Sequence, residues 1–151
     1  MSIDIFQRIV IRGIVKTAMV FTLLLLLVSN AYALNLIINA ENDTDTISQR
    51  KVRAIYGLHL KRWASGAPIK VFTYSDQSDL HRRFCKDLLL VFPHQLRAAW
   101  DRATYSGTGQ APIVVSSYEE MISKVIENPG AIGYVDSDEL LDERIKTLQV
   151  K

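Results

Sequence analysis

The chain has 151 residues, enough for one small domain, and a formal net charge of +2 from 18 basic and 16 acidic residues. The excess lies in the first 33 residues, where Arg8, Arg12 and Lys16 outnumber Asp4, so removing these 33 from 151 leaves 118 residues with 15 charges of each sign. Balanced charge without a basic stripe excludes any argument for nucleic acid as a partner. The single cysteine, Cys85, excludes an intrachain disulfide.

Residues 1–33 have the pattern of a secretory signal peptide. The basic positions precede an apolar run, Thr17–Val28, and Ala31-Tyr32-Ala33 matches an A-x-A cleavage site. An uncleaved anchor is the competing interpretation, but a membrane span needs about 20 apolar residues. We expect cleavage after Ala33, a periplasmic or secreted domain of residues 34–151, and no stable membrane insertion after cleavage.

Strand-like and helix-like patterns alternate along residues 34–151. Apolar or β-branched runs predict strands at Leu34–Asn39, Ile69–Tyr74, Ile113–Val115, Ala131–Val135 and, at a sheet edge, Ile145–Val150. Helices are expected to begin at a capping box over Thr46–Gln49, within Ser75–Asp79, at Pro93 and at a capping box formed by Ser117 and Glu120. One helical turn is expected within 136–141.

Residues 113–135 predict a strand, a helix and a second strand, because Asn128-Pro129-Gly130 stops the intervening helix. Such a crossover is typical of an α/β fold with a small, mostly parallel sheet of about four or five strands and helices on both faces. The expected core residues are Ile37, Val52, Ile55, Trp63, Val71, Leu80, Phe84, Leu88, Leu96, Trp100, Val114, Ile122, Val125, Ile132 and Tyr134.

The order of these segments resembles one lobe of a type II periplasmic binding protein, specifically the substrate-binding protein of phosphate ABC transporters. The matching segments are Ile55-Tyr56, Trp63, Gly66, Pro68-Ile69, Ser78–Phe84, Trp100, Ser106-Gly107-x-Gly109 and Ala131–Val135. They extend over most of 34–135. The chain is most similar to the short, single-lobe members of that family.

The resemblance implies a phosphate site at the helix that follows the second strand. Full-length members carry an Arg and then a Gly-Ser-Gly-Thr that grips phosphate. Laid on this chain, the Arg position falls on Tyr74 and the motif on Gln77, Ser78, Asp79 and Leu80, so only the serine is retained. The second lobe, which supplies the other half of the family's site, is missing.

A helix N-terminus at Ser78 is a natural anion site, and Ser78, Asp79 and Leu80 are the first candidate residues. The alternative is that Ser78 only caps the helix. Asp76 and Asp79 favour this alternative because they would repel an anion. Arg82 and Arg83 could reach back to the site, but we expect them to be solvated.

The loop around Gly107, Thr108 and Gly109 is the second candidate, because two glycines can leave backbone N–H groups open for a ligand. The alternative, a tight link from helix to strand, is favoured.

Other side chains give little support for chemistry. His59, His81 and His94 lack metal-ligand spacing and are expected to be solvated. The acidic positions near the C-terminus lack the order of a calcium loop. Cys85 has no evident base and is expected to be buried and inert. We therefore expect no enzyme, no cofactor and no metal.

Two functional hypotheses remain. The first is a one-lobed periplasmic protein that binds inorganic phosphate or a similar anion weakly in phosphate uptake or sensing, with a degraded ligand site. The second is a protein-interaction module that keeps the lobe and uses the former cleft face to meet a protein partner.

Overall fold

Six strands form one sheet in the computed structural model, which describes residues 34–136 and 142–151. They are β1 (Asn35–Asn39), β2 (Thr46–Ile47), β3 (Lys70–Tyr74), β4 (Ile113–Val115), β5 (Ala131–Val135) and β6 (Ile145–Val150). The order is β2-β6-β1-β5-β3-β4. Only β1 is antiparallel to its neighbours, whereas the β2–β6, β5–β3 and β3–β4 pairs are parallel. This arrangement confirms the α/β class and the mostly parallel sheet flanked by helices.

In residues 34–136 and 142–151, four helices connect these strands. They are α1 (Gln49–Tyr56), α2 (Asp79–Arg83, continued by a π-helix over Phe84–Leu89), α3 (Pro93–Tyr105) and α4 (Tyr118–Glu127). None of the helices in the described residues is both long and apolar enough to cross a membrane. The leader, its cleavage site and residues 137–141 of the expected last turn lie outside the described residues.

The first helix begins two residues later than the sequence pattern suggests. Thr46 and Ile47 pair with Gln149 and Val150 of β6, so they form β2 rather than a cap. Ser48 is the N-cap instead, and its hydroxyl accepts a hydrogen bond from the backbone N–H of Lys51. Thr46 and Ile47 pair with a strand and do not cap the helix, because their β-branched side chains favour an extended backbone.

The second helix changes its pitch after Arg83. Because a π-helix bonds i to i+5, it rotates later side chains relative to an α-helical stripe. Phe84, Cys85 and Leu89 are buried in this segment, whereas Leu88, which an uninterrupted α-helix would place in the core beside Phe84, is only half-buried. Before the change of pitch, His81 is buried and Leu80, which was also expected in the core, is half-buried.

The two ends of the sheet differ from expectation. β6 was predicted to be an edge strand, but β2 covers part of its outer side. β4 forms the opposite edge, and Val114 there is 46% exposed, so its place in the core was predicted wrongly. Ile122 is also only half-buried.

The core lies on both faces of β5, whose five residues are all buried. Trp100 is fully buried and its indole N–H donates to the Tyr56 carbonyl at 2.7 Å, which ties α3 to the end of α1. Asn39 is also buried, and its amide donates to the Val125 and Ile126 carbonyls of α4. These long-range contacts join α3 to α1 and the sheet to α4.

Candidate functional site

Ser78 lies just beyond the carboxyl end of β3, where the chain turns into α2. The Ser78 N–H donates to the Ser75 carbonyl in a tight turn, and the Ser78 hydroxyl accepts from the His81 N–H at 3.4 Å. The backbone of Ser78 is extended, as an N-cap requires. The structure thus shows Ser78 as a helix cap, which does not prevent its hydroxyl from also donating outward.

Two backbone N–H groups follow this cap. Within the described residues, the N–H groups of Asp79 and Leu80 have no hydrogen-bond acceptor. The first N–H groups of a helix point outward along its axis and carry partial positive charge. Ser78, Asp79 and Leu80 therefore present two donors in the direction that an anion would approach.

The acidic residues at this helix end are neutralised by guanidinium groups. Arg97 of α3 donates to both carboxylate oxygens of Asp76, at 3.0 and 3.1 Å, and its guanidinium lies 5.0 Å from the Trp100 ring centre. Arg82 pairs with Asp79 and also donates to the Gln77 carbonyl at 2.8 Å. Opposite charges thus offset the repulsion that Asp76 and Asp79 would exert on an anion.

These ion pairs differ from what we expected of the arginines near the site. Arg82 and Arg83 are not simply solvated, because Arg82 reaches back to the helix start and Arg83 donates to Asp136 at 3.0 Å. Arg97 was missed altogether. It lies three residues before Trp100 on α3, and that spacing on a helix that packs by its tryptophan is the signal that could have found it.

His81 is fully buried rather than solvated as predicted. Its Nδ1 atom lies 2.6 Å from the Tyr134 hydroxyl and 3.1 Å from the Thr73 hydroxyl, and its Nε2 atom lies 3.6 Å from an Asp76 oxygen. Burial lowers the pKa of His81, the Asp76 carboxylate raises it, and the Arg97 guanidinium lowers it. A neutral imidazole therefore joins α2 to strands β3 and β5 directly behind the candidate site.

Cys85 is buried as predicted and lies beside that imidazole, with its sulfur 3.4 Å from His81 Nε2. Burial, followed by the Asp76 carboxylate, raises the pKa of the Cys85 thiol to about 12. Since the thiolate is the nucleophile, a buried and protonated thiol is suited to packing and not to covalent chemistry.

The backbone N–H groups of the loop around Gly107 are bonded to the end of the preceding helix. The N–H groups of Ser106, Gly107, Thr108 and Gly109 all donate to carbonyls in the last turn of α3. Gly107 has a φ of +68°, which closes this turn, and the Lys61 ammonium donates to the Thr108 carbonyl. The expectation that the glycines leave open N–H groups does not hold, and the loop is a tight helix-to-strand link.

The structure also keeps the two candidate segments apart. The Gly107 loop leads into the amino end of β4, whereas Ser78 follows the carboxyl end of β3. Since β3 and β4 are parallel neighbours, the amino end of β4 and the carboxyl end of β3 lie at opposite ends of the two strands. Ligands of open α/β sheets bind outside the carboxyl ends of the strands. That rule favours the Ser78 segment as the candidate site.

Several of the acidic positions near the C-terminus are paired or fall outside the described residues. Asp142 binds Arg144, which lowers the Asp142 pKa to about 2, and Asp138 and Glu139 lie in the undescribed segment. Within 34–136 and 142–151, no three His, Cys, Asp or Glu side chains are placed to hold a metal ion.

Comparison with known proteins finds one family and several solved structures. A family model described as a PBP superfamily domain matches residues 12–150. No curated protein matches the chain. Several solved structures are similar to the chain, among them proteins described as components of phosphate transport.

Three of these structures illustrate the likeness. A Clostridium perfringens protein, described as a phosphate ABC transporter substrate-binding protein with bound phosphate, matches with a TM-score of 0.62 and 20% identity over 79% of this chain and 46% of its own. An ABC-type phosphate transport receptor from Vibrio cholerae matches with a TM-score of 0.59 and 20% identity over 78% of this chain and 46% of its own. PstS from Borrelia burgdorferi matches with a TM-score of 0.58 and 24% identity over 78% of this chain and 47% of its own. The likeness concerns the fold, and the chain spans less than half the length of each.

Proposed function

Because the chain belongs to the PBP superfamily domain family, we propose that it is a one-lobed binding protein for inorganic phosphate or a similar anion, exported to the periplasm and associated with phosphate uptake or sensing. The observation that carries the proposal is the pair of unpartnered N–H groups at Asp79 and Leu80, beside the Ser78 hydroxyl. The proposal is supported by the structurally similar Clostridium perfringens protein, which holds bound phosphate. It is a binding role and not a catalytic one.

We expect the site to be weaker than a complete two-lobed site. Tyr74 stands where the family's phosphate-binding Arg is expected, and Arg97 is already engaged by Asp76 through two hydrogen bonds. A single lobe leaves part of a tetrahedral anion in water, where charge interactions are screened. The dissociation constant should be on the order of millimolar, or about −4 kcal/mol.

Isothermal titration with inorganic phosphate tests the proposal. Ser78→Ala should weaken binding, because it removes a hydroxyl donor. Asp79→Gly should strengthen binding, since it removes a like charge and releases Arg82 from its ion pair. Ser117→Ala is the matched control: Ser117 caps α4 in the same way, through the Glu120 N–H at 3.1 Å, but belongs to a different helix end.

The outcomes separate the possible interpretations. Micromolar affinity in the native chain would contradict a degraded site. Millimolar binding that neither Ser78→Ala nor Asp79→Gly changes would place the anion away from the start of α2. No binding at tens of millimolar phosphate would contradict the anion-binding function itself.

A protein-interaction role is the second candidate. It is favoured by the apolar side chains of the edge strand β4, where Ile113 is 50% and Val114 46% exposed, since natural sheets usually protect such edges. Ile113→Lys together with Val114→Lys should then abolish association with a host protein without changing phosphate binding. Unchanged crosslinking of the double variant in the host would contradict this role.

A further inference from the structure

A second cleft lies at the opposite end of α2 from Ser78. It has a volume of about 210 Å³ and separates the C-terminal turn of α1 from the turn between α2 and α3. Its lining residues are Arg53, Gly57, His59, Leu89, Val91, Gln95, Leu96 and Ala99. The cleft shares no residue with the Ser78 site, so what it binds is independent of the proposed function.

The floor of the cleft is apolar. Leu89 is 1% exposed and Leu96 is 6% exposed, and both belong to the main core. Val91 and Ala99 are half-buried beside them. Such a floor removes apolar ligand surface from water, and burial of that surface is favourable.

The rim of the cleft is polar and carries only positive or neutral groups. Arg53 and His59 are exposed, and within the described residues neither side chain has a hydrogen-bond or ion-pair partner. Gln95 is the remaining polar lining residue, and no acidic residue lines the cleft. An unpaired guanidinium at the edge of an apolar floor matches a carboxylate joined to an apolar body.

Backbone strain occurs in both walls. Leu58 and Leu90 are the non-glycine residues with positive φ in the described part of the chain, at +63° and +56°. Leu58 lies between the lining residues Gly57 and His59, and Leu90 between Leu89 and Val91. Leu90 is 60% exposed, so burial of its own side chain does not offset the strain. Strained residues of this kind cluster at ligand-binding sites.

We propose that this cleft is a binding site for a small apolar monocarboxylate. The carboxylate pairs with the Arg53 guanidinium, and the apolar body lies on Leu89 and Leu96. Drug-sized ligands occupy pockets of about 300–1,000 Å³. The smaller volume here restricts the ligand to the size of a single ring or a short branched chain.

The test is a titration of ¹⁵N-labelled protein, in the form that its host produces, with benzoate and with its neutral analogue benzamide. Benzoate should shift the amide signals of Gly57 and Val91 saturably. Benzamide should bind at least tenfold more weakly, because it lacks the negative charge. An excess of phosphate should leave the benzoate titration unchanged, since the Ser78 site is separate.

Two variants locate the site. Arg53→Gln should weaken benzoate binding at least tenfold, whereas Arg50→Gln, an exposed arginine on the same helix that does not line the cleft, should leave it unchanged. Ala99→Leu should block the cleft. The proposal is overturned if benzoate causes no saturable shift, if benzamide binds equally well, or if Arg53→Gln binds benzoate like the native chain. The Arg53 variant changes an exposed side chain, so it keeps the test decisive even if Ala99→Leu fails to fold.

Discussion

At the residue scale, the environment of His81 is the feature that distinguishes the structure most from its sequence pattern. The imidazole is surrounded by Tyr134 and Thr73 from the sheet, by Cys85 on its own helix, by Asp76 in the preceding turn and by Arg97 of α3. Burial holds the ring neutral and lowers its pKa below the ordinary 6.5. The pH dependence of folding should report this directly.

We expect acid to destabilise the protein through His81. Because the folded-state pKa is lowered, the unfolded chain takes up a proton first as the pH falls through 6.5, so the stabilisation present above that pH is lost on acidification until the folded-state pKa is reached. Each pKa unit corresponds to about 1.4 kcal/mol. Urea melts between pH 7.5 and 4.5 give the free energy of unfolding at each pH. This free energy should fall less steeply with decreasing pH in His81→Gln than in the native chain.

The exposed His94 supplies the control for that experiment. His94→Gln should keep the native dependence of stability on pH, because this exposed residue lies on α3 and makes no contact with the buried imidazole of His81 in the described structure. A native slope in His81→Gln as well would mean that carboxylates, and not the buried imidazole, govern the acid sensitivity.

A second residue-scale prediction concerns Leu90. Its φ of +56° and ψ of 40° lie in the left-handed region, which costs an L-residue about 1–2 kcal/mol, and its side chain is 60% exposed. Leu90→Gly should relieve this strain at the cost of glycine's greater freedom in the unfolded chain. The net stabilisation should be about 0.5–1 kcal/mol in denaturant melts.

Leu90→Ala separates strain from the loss of the side chain. Alanine keeps the left-handed strain and removes most of the exposed leucine, so its stability should remain close to that of the native chain. If Leu90→Gly is less stable than Leu90→Ala, strain in the left-handed conformation does not govern stability at this position.

At the scale of elements, Trp100 attaches α3 to the end of α1. The side chain is fully buried and donates to the Tyr56 carbonyl at 2.7 Å. Trp100→Ala should lower the free energy of unfolding by about 3–5 kcal/mol. Trp100→Phe should cost less, because it keeps most of the apolar contact and loses the hydrogen bond.

The same helix carries Arg97, so the tryptophan variants should also affect the candidate anion site. If α3 shifts, the Arg97 pairing with Asp76 is weakened at the candidate anion site. A loss below about 1 kcal/mol for Trp100→Ala would mean that α3 does not depend on this indole.

At the scale of the whole molecule, the main prediction is export. The basic segment, the apolar run and Ala31-Tyr32-Ala33 predict cleavage after Ala33. N-terminal sequencing of the protein from its native host should begin at Leu34. A membrane-integral product that begins at Met1 would contradict the prediction.

Most of the fold could be predicted from the sequence because its signals are local. The apolar runs of β1, β3 and β5, Pro93 at the start of α3 and the Ser117 cap each depend on neighbouring residues, and each stands close to where the pattern placed it. The α/β class follows from the alternation of such segments.

The candidate site was predictable only in part. Ser78 was identified because the resemblance places the serine of the family's Gly-Ser-Gly-Thr there, at the start of a helical pattern, and its capping role depends on residues three apart. Arg97 was not identified, because its partner Asp76 is 21 residues away and on a different element. The unpartnered N–H groups of Asp79 and Leu80 follow from the cap and could be inferred from it.

The sequence by itself determined strands β1 and β3 to β6, the starts of α2, α3 and α4, and the resemblance to a single binding-protein lobe, since these depend on spacing along the chain. Only the tertiary structure decided that β2 pairs with β6, that α2 continues as a π-helix, and that His81 is buried. It also decided that the Gly107 loop and Ser78 lie at opposite ends of the parallel strands β3 and β4. Each of these outcomes depends on contacts between residues far apart in the chain, and a long-range contact leaves no periodic signal in one sequence.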